Sequence, residues 1–306
     1  MGGVDQSTAQ QLLTRNEVTN RSCVFVVPAL AGKLRAIPAK AGTTNTFRNG
    51  IAVKQTIHRI QMLPILFHDD HIVAINKPAG LLVHRSRVDV HATEFAMQML
   101  RDQIGQLVFP VHRIDRPTSG VLLFALNKDC ARQLSDQFAQ RTVSKSYLAL
   151  VRGKTPETKS WDEPLIEKQD PATDGKARKN KQAQEAVTEF NTLESWTVPF
   201  SAGKYPQSRY SLIEAQPLTG RKHQLRRHFN HMAHPIVGDT TYGDRRHNRL
   251  FRQQFEVYRL LLIAKRMRFL HPVSGRVIEV EADNGMEFDN AISALKQHKI
   301  SGGEQT

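Results

Sequence analysis

An uninterrupted apolar run, VLLFAL at residues 121–126, directly follows the polar segment HRIDRPTSG at residues 112–120. Six consecutive apolar residues lack the alternation of a half-exposed strand, and the run is short for a helix, so it predicts a buried strand. No stretch of the chain approaches the roughly 18 apolar residues that a transmembrane helix needs. The sequence therefore predicts an internal sheet and no membrane span.

Strand and helix patterns alternate irregularly along the rest of the chain. Strands are predicted near residues 72–75, 121–126, 145–151, 187–193, 209–215, 259–263, 267–271 and 277–281. Helices are predicted over residues 93–104, 128–139, 221–232 and 286–295. Because no regular βαβ repeat connects these segments, the pattern indicates an α+β fold.

The composition is that of a globular protein. The chain has 306 residues, of which 40% are hydrophobic and 24% charged. A chain of this length can bury a core without disulfides or a structural metal. Its two cysteines, Cys23 and Cys130, form no CxxC pair, which excludes a disulfide framework or a four-cysteine zinc site. A reducing, cytoplasmic location is the expectation.

The charge is strongly positive. Lysine and arginine number 43 against 29 acidic residues, which gives a net charge of +14. Such a balance favours a polyanionic partner, chiefly nucleic acid. A protein of the membrane surface would usually concentrate this charge on an amphipathic helix, and the sequence shows no clear one. Nothing in it indicates a protein partner.

The first 61 residues differ from the remainder, with eight basic and two acidic residues and no sustained periodicity. Three interpretations stay open: a disordered basic arm, translation from a start upstream of a true initiator at Met62, or an organelle transit peptide. The folded domain is expected over residues 62–297. A mobile basic loop is expected at 168–186 and a frayed tail at 298–306.

Asp115 is the first candidate for chemistry, because this carboxylate lies between Arg113 and Arg116 just before the buried strand. Neighbouring cations favour the ionised form of an acid. An ionised aspartate at the edge of a strand could act as a nucleophile or a base. Taken alone, the same pattern also fits an aspartate that caps a turn and makes a surface ion pair.

The whole segment HRIDRPTSG resembles the active-site motif of the RluA-type pseudouridine synthases, whose usual form is His-Arg-Leu-Asp-x-x-Thr-Ser-Gly. The resemblance extends over about residues 62–283, in the order of the family's other motifs. These further segments are NKPAG at 76–80, KSYLA at 145–149 with VRG at 151–153, TGRKHQLRRH at 219–228 with PIVGD at 235–239 and YG at 242–243, and HPVSG at 271–275.

The resemblance implies isomerisation of uridine to pseudouridine in RNA, with roles for five residues. Asp115 would be the essential carboxylate, and Arg226 would pair with it, unless Arg226 is a phosphate contact. Tyr147 would stack on the flipped uracil or move a proton, unless it is a core tyrosine. Arg113 would fill the space that the flipped base leaves, and Leu262 would form part of the pocket wall.

The same resemblance implies that further basic residues hold the RNA, so that binding depends on salt. The candidates are Lys77, Arg85, Arg116, Arg221, Lys222, Arg227 and the loop residues 176–181. The sequence departs from the family at the residue after Leu262. The family usually has Leu-His-Ala, whereas this chain has Leu262-Ile263-Ala264, so Ile263 replaces the histidine. This change puts some hydrogen bonding close to the site in doubt.

The resemblance is greatest to the branch of the family that modifies uridine 65 of tRNA, on the segments 82–86, 99–105, 203–206 and 223–228. A ribosomal RNA target and a non-catalytic RNA-binding protein are the alternatives. The implied fold is an α+β domain with a long, mixed, mainly antiparallel bent sheet, flanking helices and a central catalytic cleft. No cofactor or metal is expected.

A zinc hydrolase is the remaining alternative. Four histidines lie close together in the sequence, at His223, His228, His231 and His234, with Asp239 nearby. However, the chain has no HExxH motif, so the sequence favours RNA modification over metal catalysis.

Overall fold

The computed structural model describes residues 62–84, 93–166 and 182–300. The expectations for residues 1–61, for Arg85 and for the basic loop residues 176–181 lie outside the described residues. So does the end of the predicted tail, residues 301–306.

Ten strands and five helices make up the described part of the chain. The strands are β1 (Ile65–His68), β2 (Ile72–Lys77), β3 (Phe109–Pro110), β4 (Ser119–Ala125), β5 (Ser144–Arg152), β6 (Thr158–Asp162), β7 (Val187–Val198), β8 (Ser208–Pro217), β9 (Leu262–Leu270) and β10 (Val277–Glu281). The helices are α1 (Ala96–Ile104), α2 (Lys128–Ala139), α3 (Gln224–His231), α4 (Arg245–Phe255) and α5 (Met286–Gln297). The predicted α+β class is confirmed.

All ten strands form a single mixed sheet in the order β1-β2-β4-β9-β5-β8-β7-β6, with β10 beside β9 and β3 beside β4. Every pairing is antiparallel except that of β4 with β9, where Ser119 faces Ile263 and Gly120 faces Ala264. The apolar run at residues 121–126 provides most of β4, and all seven residues of this strand are buried. The predicted mixed, mainly antiparallel sheet with flanking helices is therefore observed.

Helices pack on both faces of the sheet, and each face has its own hydrophobic core. Ala149 and Val151 of β5 pack with Leu225 and Phe229 of α3 on one face. Leu150 of β5 packs on the other face, in a cluster that contains side chains from α4 and α5. Because side chains alternate across a strand, neighbouring residues of β5 and β9 belong to opposite cores. This alternation decides which residues can reach the cleft described below.

The structure corrects three element predictions. The two predicted strands at 259–263 and 267–271 form one strand, β9. Helix α3 begins at Gln224 rather than at 221, because His223 before it has a left-handed backbone with φ of 58°. Helix α4 was not predicted, since its buried apolar side is interrupted by arginines and glutamines. Three short strands, β1, β3 and β6, were not predicted either.

The predicted frayed tail is wrong for its first residues. The ring of His298 contacts the rings of Phe200 and Phe255, at centroid distances of 5.1 and 6.4 Å. The backbone N–H of Ile300 donates to the carbonyl oxygen of Thr197 at 2.9 Å. These contacts hold residues 298–300 against the end of β7.

Among the helices of the described residues, none has the length and apolar character to cross a bilayer.

Candidate active site

A cleft of about 1000 Å³ lies on the α3 face of the sheet. Its walls come from the HRIDRPTSG segment before β4, the start of β5 and the turn that leads into α3. Ten of the site residues named from the sequence lie in the described part of the chain, and seven of them line the cleft: Arg113, Asp115, Tyr147, Arg221, Lys222, Arg226 and Leu262. Lys77, Arg116 and Arg227 lie elsewhere.

Local hydrogen bonds hold the segment that carries Asp115. The backbone N–H of Thr118 donates to the carbonyl oxygen of Asp115 at 3.0 Å, which closes a turn at the edge of β4. His112 accepts a hydrogen bond on Nε2 from the backbone N–H of Leu123 at 2.9 Å. Burial lowers the pKa of His112 to about 3, so this ring is neutral and anchors the segment to the strand. The Asp115 side chain is 19% exposed and faces the cleft.

Arg226 reaches Asp115 from the first turn of α3, with 3.3 Å between Nη1 and Oδ2. The rest of the guanidinium is bound by Asp239, which accepts from Nε at 2.7 Å and from Nη2 at 2.9 Å. Asp239 also accepts from the backbone N–H groups of Thr241 and Tyr242 at 2.8 and 3.0 Å. Burial alone would raise the pKa of Asp239, but the hydrogen bonds and charge of Arg226 outweigh burial and lower it. Arg226 is thus a buried cation shared by two carboxylates.

His223 and Tyr242 complete the surroundings of Asp115, although neither was predicted to have a role at this site. Nε2 of His223 lies 3.9 Å from Oδ1 of Asp115, and its Nδ1 lies 3.1 Å from the hydroxyl of Tyr242. The Tyr242 ring lies 5.2 Å from the Arg226 guanidinium carbon. Burial lowers the pKa of His223, against the opposing effect of the Asp115 charge. The signal that could have found them was their place in the TGRKHQLRRH and YG motifs.

Tyr147 and Leu262 form an apolar wall of the cleft from the adjacent strands β5 and β9. Leu262 is 3% exposed. Burial, together with the negative charge of Asp115, raises the pKa of Tyr147, so its hydroxyl stays protonated. Tyr147 lines the same cleft as Asp115. Arg113 is exposed on the cleft side of the same segment as Asp115.

Ile263 does not face this site. Its side chain is 0% exposed and packs on the opposite face of the sheet, with Leu150, Trp196 and Phe251. The neighbouring Leu262 faces the cleft because successive side chains of β9 point to opposite faces. The expectation that the Ile263 departure affects hydrogen bonding at the site is therefore wrong. This residue belongs to the core under α4 and α5.

Lys77 cannot serve as an RNA contact, contrary to the prediction, because its side chain is 0% exposed. Its Nζ donates to the carbonyl oxygens of Pro78 and Leu81 at 2.8 Å each, and to that of Arg116 at 3.1 Å. Burial lowers the pKa of Lys77 to about 7, against the pull of the Asp115 charge. The residue ties the NKPAG turn to the segment that carries Asp115.

Arg227 is also wrongly predicted as an RNA contact. It is 8% exposed, and its Nη1 donates to the carbonyl oxygen of Ile166 at 2.9 Å. Arg116 is exposed but lines a neighbouring pocket, where its Nε donates to the carbonyl oxygen of Gly80 at 3.0 Å. Arg221 and Lys222 lie on the rim of the cleft. Arg221 is held there by a hydrogen bond from Nε to the carbonyl oxygen of Glu185 at 2.9 Å.

The histidines of the zinc alternative have separate partners. His228 contacts the hydroxyl of Thr188 and a backbone carbonyl, at 3.0 and 3.1 Å. His231 pairs with the carboxylate of Glu163 at 2.7 Å, and His234 contacts the carbonyl oxygen of Arg152 at 2.9 Å. Within residues 62–84, 93–166 and 182–300, no group of three or more His, Cys, Asp and Glu side chains is arranged to hold a metal ion.

Comparison with known proteins places this geometry in a family. Residues 71–231 match the family model described as RNA pseudouridylate synthase. The chain is 52% identical to tRNA pseudouridine synthase C of Vibrio cholerae, over 72% of this chain and 91% of that protein. It is 53% identical to the protein of the same name from Haemophilus ducreyi, over 72% of this chain and 90% of that protein.

Solved structures agree with the sequence comparisons. The human RNA pseudouridylate synthase domain containing 1 superposes with a TM-score of 0.56 at 27% identity, over 73% of this chain and 84% of that one. The human domain containing 4 superposes with a TM-score of 0.56 at 28% identity, over 76% and 93%. With the ordered motifs gathered around a single cleft, these matches show that the chain belongs to the RNA pseudouridylate synthase family.

Proposed function

We propose that this protein converts a uridine of tRNA to pseudouridine, with Asp115 as the essential carboxylate. The names of the relatives support a tRNA substrate, since proteins more than 50% identical to this chain are called tRNA pseudouridine synthase C. The branch-specific segments of the sequence favour uridine 65 as the target. The same proposal places the enzyme with its substrate in the cytoplasm.

One observation carries the assignment of Asp115. Among the described residues that line the cleft, it is the only one with a carboxylate. The other charged groups there are cations, namely Arg113, Arg141, Lys145, Arg221, Lys222 and Arg226. A single carboxylate among cations suits a reaction that needs one nucleophile or base on an anionic substrate.

The isomerisation makes demands that this arrangement can meet. The ribose C1′ exchanges its bond to N1 of uracil for a bond to C5, while C5 loses a proton and N1 gains one, so the reaction is redox-neutral. The target base must first leave its stack, which costs a few kcal/mol in structured RNA. Stacking on Tyr147 beside Leu262 would recover about 1–3 kcal/mol of that cost. Asp115 would then lie against the glycosidic bond, kept ionised and oriented by Arg226.

Pseudouridine mapping tests the proposal. Unmodified total tRNA and ribosomal RNA are incubated separately with the wild type, with Asp115→Asn and with Asp136→Asn. Asp136 provides the matched control, because it is exposed on α2 and does not line the cleft. Carbodiimide labelling and primer extension then locate new pseudouridines.

A tRNA stop at position 65 that is made by the wild type and Asp136→Asn, but not by Asp115→Asn, is the expected result. Modification of ribosomal RNA alone would overturn the tRNA assignment. Tight RNA binding with no modification of either pool would favour a non-catalytic RNA-binding protein. Turnover by Asp115→Asn within about tenfold of the wild type, which is only about 1.4 kcal/mol of activation free energy, would refute the role of Asp115.

A further inference from the structure

Helix α4 carries a strongly basic surface on the face of the sheet away from the cleft. Its sequence is RRHNRLFRQQF, and its four arginines, Arg245, Arg246, Arg249 and Arg252, are all exposed. The opposite side of the helix provides Leu250, Phe251 and Phe255 to the core. These four arginines are called the α4 arginine surface below.

Apart from Arg252, whose place in the last turn suits the helix dipole, the α4 arginine surface does not help the helix to fold. Arg245 and Arg246 begin the helix, at the end where the helix dipole disfavours positive charge. Arg249 lies four residues from Arg245 and three from Arg252, spacings at which like charges repel. Within the described residues, none of the four arginines forms an ion pair with an acidic side chain. Their clustering therefore calls for an explanation outside the fold, as an anionic partner would provide.

A loop before β8 extends the same surface. Gly203 lies against the side chain of Arg246, since a Cβ at this position would lie 3.2 Å from Nη1 of that arginine. Tyr205 is 69% exposed, with Nζ of Lys204 lying 5.9 Å from its ring centroid. A groove of about 440 Å³ lies between residues 199–202 and α4. Cations, an exposed aromatic ring and a groove thus adjoin one another.

The α4 arginine surface begins close in sequence to residues that surround Asp115. Asp244 caps α4 by accepting from the backbone N–H of Arg246 at 2.9 Å. Tyr242 lies two residues before this cap and contacts both Arg226 and His223. A step of two residues along the chain thus joins the cap of α4 to a tyrosine that contacts the groups around Asp115.

We propose that the α4 arginine surface, with Lys204 and Tyr205, binds the sugar-phosphate backbone of the substrate tRNA away from the target uridine. The inference rests on the proposed function, because it names a second contact for the same substrate. Arginine forks bind phosphate oxygens in pairs of hydrogen bonds. The exposed Tyr205 ring offers a stacking platform for an unpaired base or a terminal base pair. The net charge of +14 fits the same partner.

The test compares two variants that each lose four exposed cations. The first changes Arg245, Arg246, Arg249 and Arg252 to glutamine, which keeps nearly the same helix propensity. The control changes Lys128, Arg132, Arg276 and Lys299 to glutamine. These four residues are exposed and, within the described residues, form no ion pair. Affinity is measured against salt concentration for full-length tRNA and for a short stem-loop that contains the target uridine.

The first variant is expected to bind full-length tRNA at least tenfold more weakly than the control does. Its salt dependence should become shallower by about 0.7–0.9 for each phosphate contact that is lost. Both variants should bind the short stem-loop equally and should modify it at the wild-type rate under single-turnover, saturating conditions. The double variant Arg249→Gln/Arg252→Gln, whose substitutions lie away from the helix start, repeats the test should the quadruple variant fold poorly.

Equal affinities of the first variant and the control for full-length tRNA would overturn the proposal. The proposal would also be overturned if the first variant, but not the control, lost as much affinity for the short stem-loop as for full-length tRNA. That result would mean that the arginines contact the target region itself. Wild-type turnover, measured on the same tRNA, keeps the two proposals apart. Its absence would refute the proposed function, whereas an active wild type with an unaffected variant would refute only this surface and favour a different anionic partner, such as an acidic protein.

Discussion

Asp239 accepts two hydrogen bonds from Arg226, at 2.7 Å from Nε and 2.9 Å from Nη2, so that Nη1 is the nitrogen left to meet Asp115 at 3.3 Å. The Asp239 side chain is fully buried, whereas that of Asp115 is 19% exposed to the cleft. A bidentate contact fixes the plane of a guanidinium as well as its position. Asp239 therefore orients Arg226 toward Asp115 without lining the cleft itself.

Asp239→Asn is expected to reduce kcat by about 100-fold, or about 2.7 kcal/mol, because Arg226 would lose the anionic partner that fixes its plane. KM for tRNA should change less than about threefold, since Asp239 does not line the cleft. Steady-state kinetics separate the two effects. An unchanged kcat in the folded variant would show that Asp115 does not need this support.

The pairing of Asp239 with Arg226 also predicts how the stability of the protein depends on pH. The pKa of folded Asp239 lies below its ordinary value of 3.8, so the folded state releases this proton more readily than the unfolded chain. Stability from this group is therefore complete above pH 4–5 and is lost as the pH falls through the folded pKa. Urea unfolding between pH 6 and pH 3 should show a steeper loss for the wild type than for Asp239→Asn. Parallel curves would contradict the assignment of this loss to Asp239.

Tyr147→Phe is expected to slow the chemical step while the melting temperature stays within about 2 °C of the wild type, because only a hydroxyl is removed from the cleft wall. Since the pKa of Tyr147 is raised, the hydroxyl stays protonated through pH 9. Any decline of the wild-type kcat between pH 8 and 9 should therefore also be present in Tyr147→Phe. A large fall in melting temperature would instead identify Tyr147 as a packing residue.

The sequence predicted the elements with the clearest periodicity and the site residues with the most specific motif. Helix α2 and strand β10 were predicted with the bounds that the structure has. Asp115, Tyr147 and Arg226 are separated by up to 111 residues, yet they line one cleft because each lies in a recognisable motif. These motifs specify residue types at positions where the fold brings them together.

What the sequence could not supply was the environment of individual side chains. A lysine in a loop motif is usually solvated, and nothing local revealed the three backbone carbonyls that enclose Lys77. The side of the sheet that Ile263 faces depends on strand register, and β5 shifts its register against β9 between Ser146 and Tyr147. Asp239 lies 13 residues from Arg226, so their contact depends on the fold of the chain between them.

Ile263→His, which restores the usual family residue, is expected to destabilise the protein by about 3 kcal/mol or more. The imidazole would be buried in the core under α4 and α5 among mainly apolar side chains. The polar atoms of Trp196 and Tyr210 in this core already have partners, in Glu194 and His247. Ile263→Val provides the matched control and should cost only about 0.5–1.5 kcal/mol. Chemical denaturation measures both. A stable Ile263→His with raised activity would mean that the residue acts on the cleft after all.

Gly120 lets β4 and β9 meet beside the cleft, and its replacement tests whether this junction limits stability. Its φ is +110°, and a Cβ there would lie 2.2 Å from the backbone oxygen of Ala264. Gly275 has a φ of +67° but no atom within 4 Å of a built Cβ, so Gly275→Ala isolates the backbone cost of about 1 kcal/mol.

Gly120→Ala should cost at least about 2 kcal/mol more than Gly275→Ala, because a methyl group against a fixed backbone oxygen forces the two strands apart. The parallel pairing of Gly120 with Ala264 would be lost, and with it the position of Leu262 in the wall of the cleft. Unfolding free energies and single-turnover rates measure these two consequences separately. Equal costs for the two alanine variants would show that β4 and β9 can separate without penalty, and that the cleft does not depend on their contact.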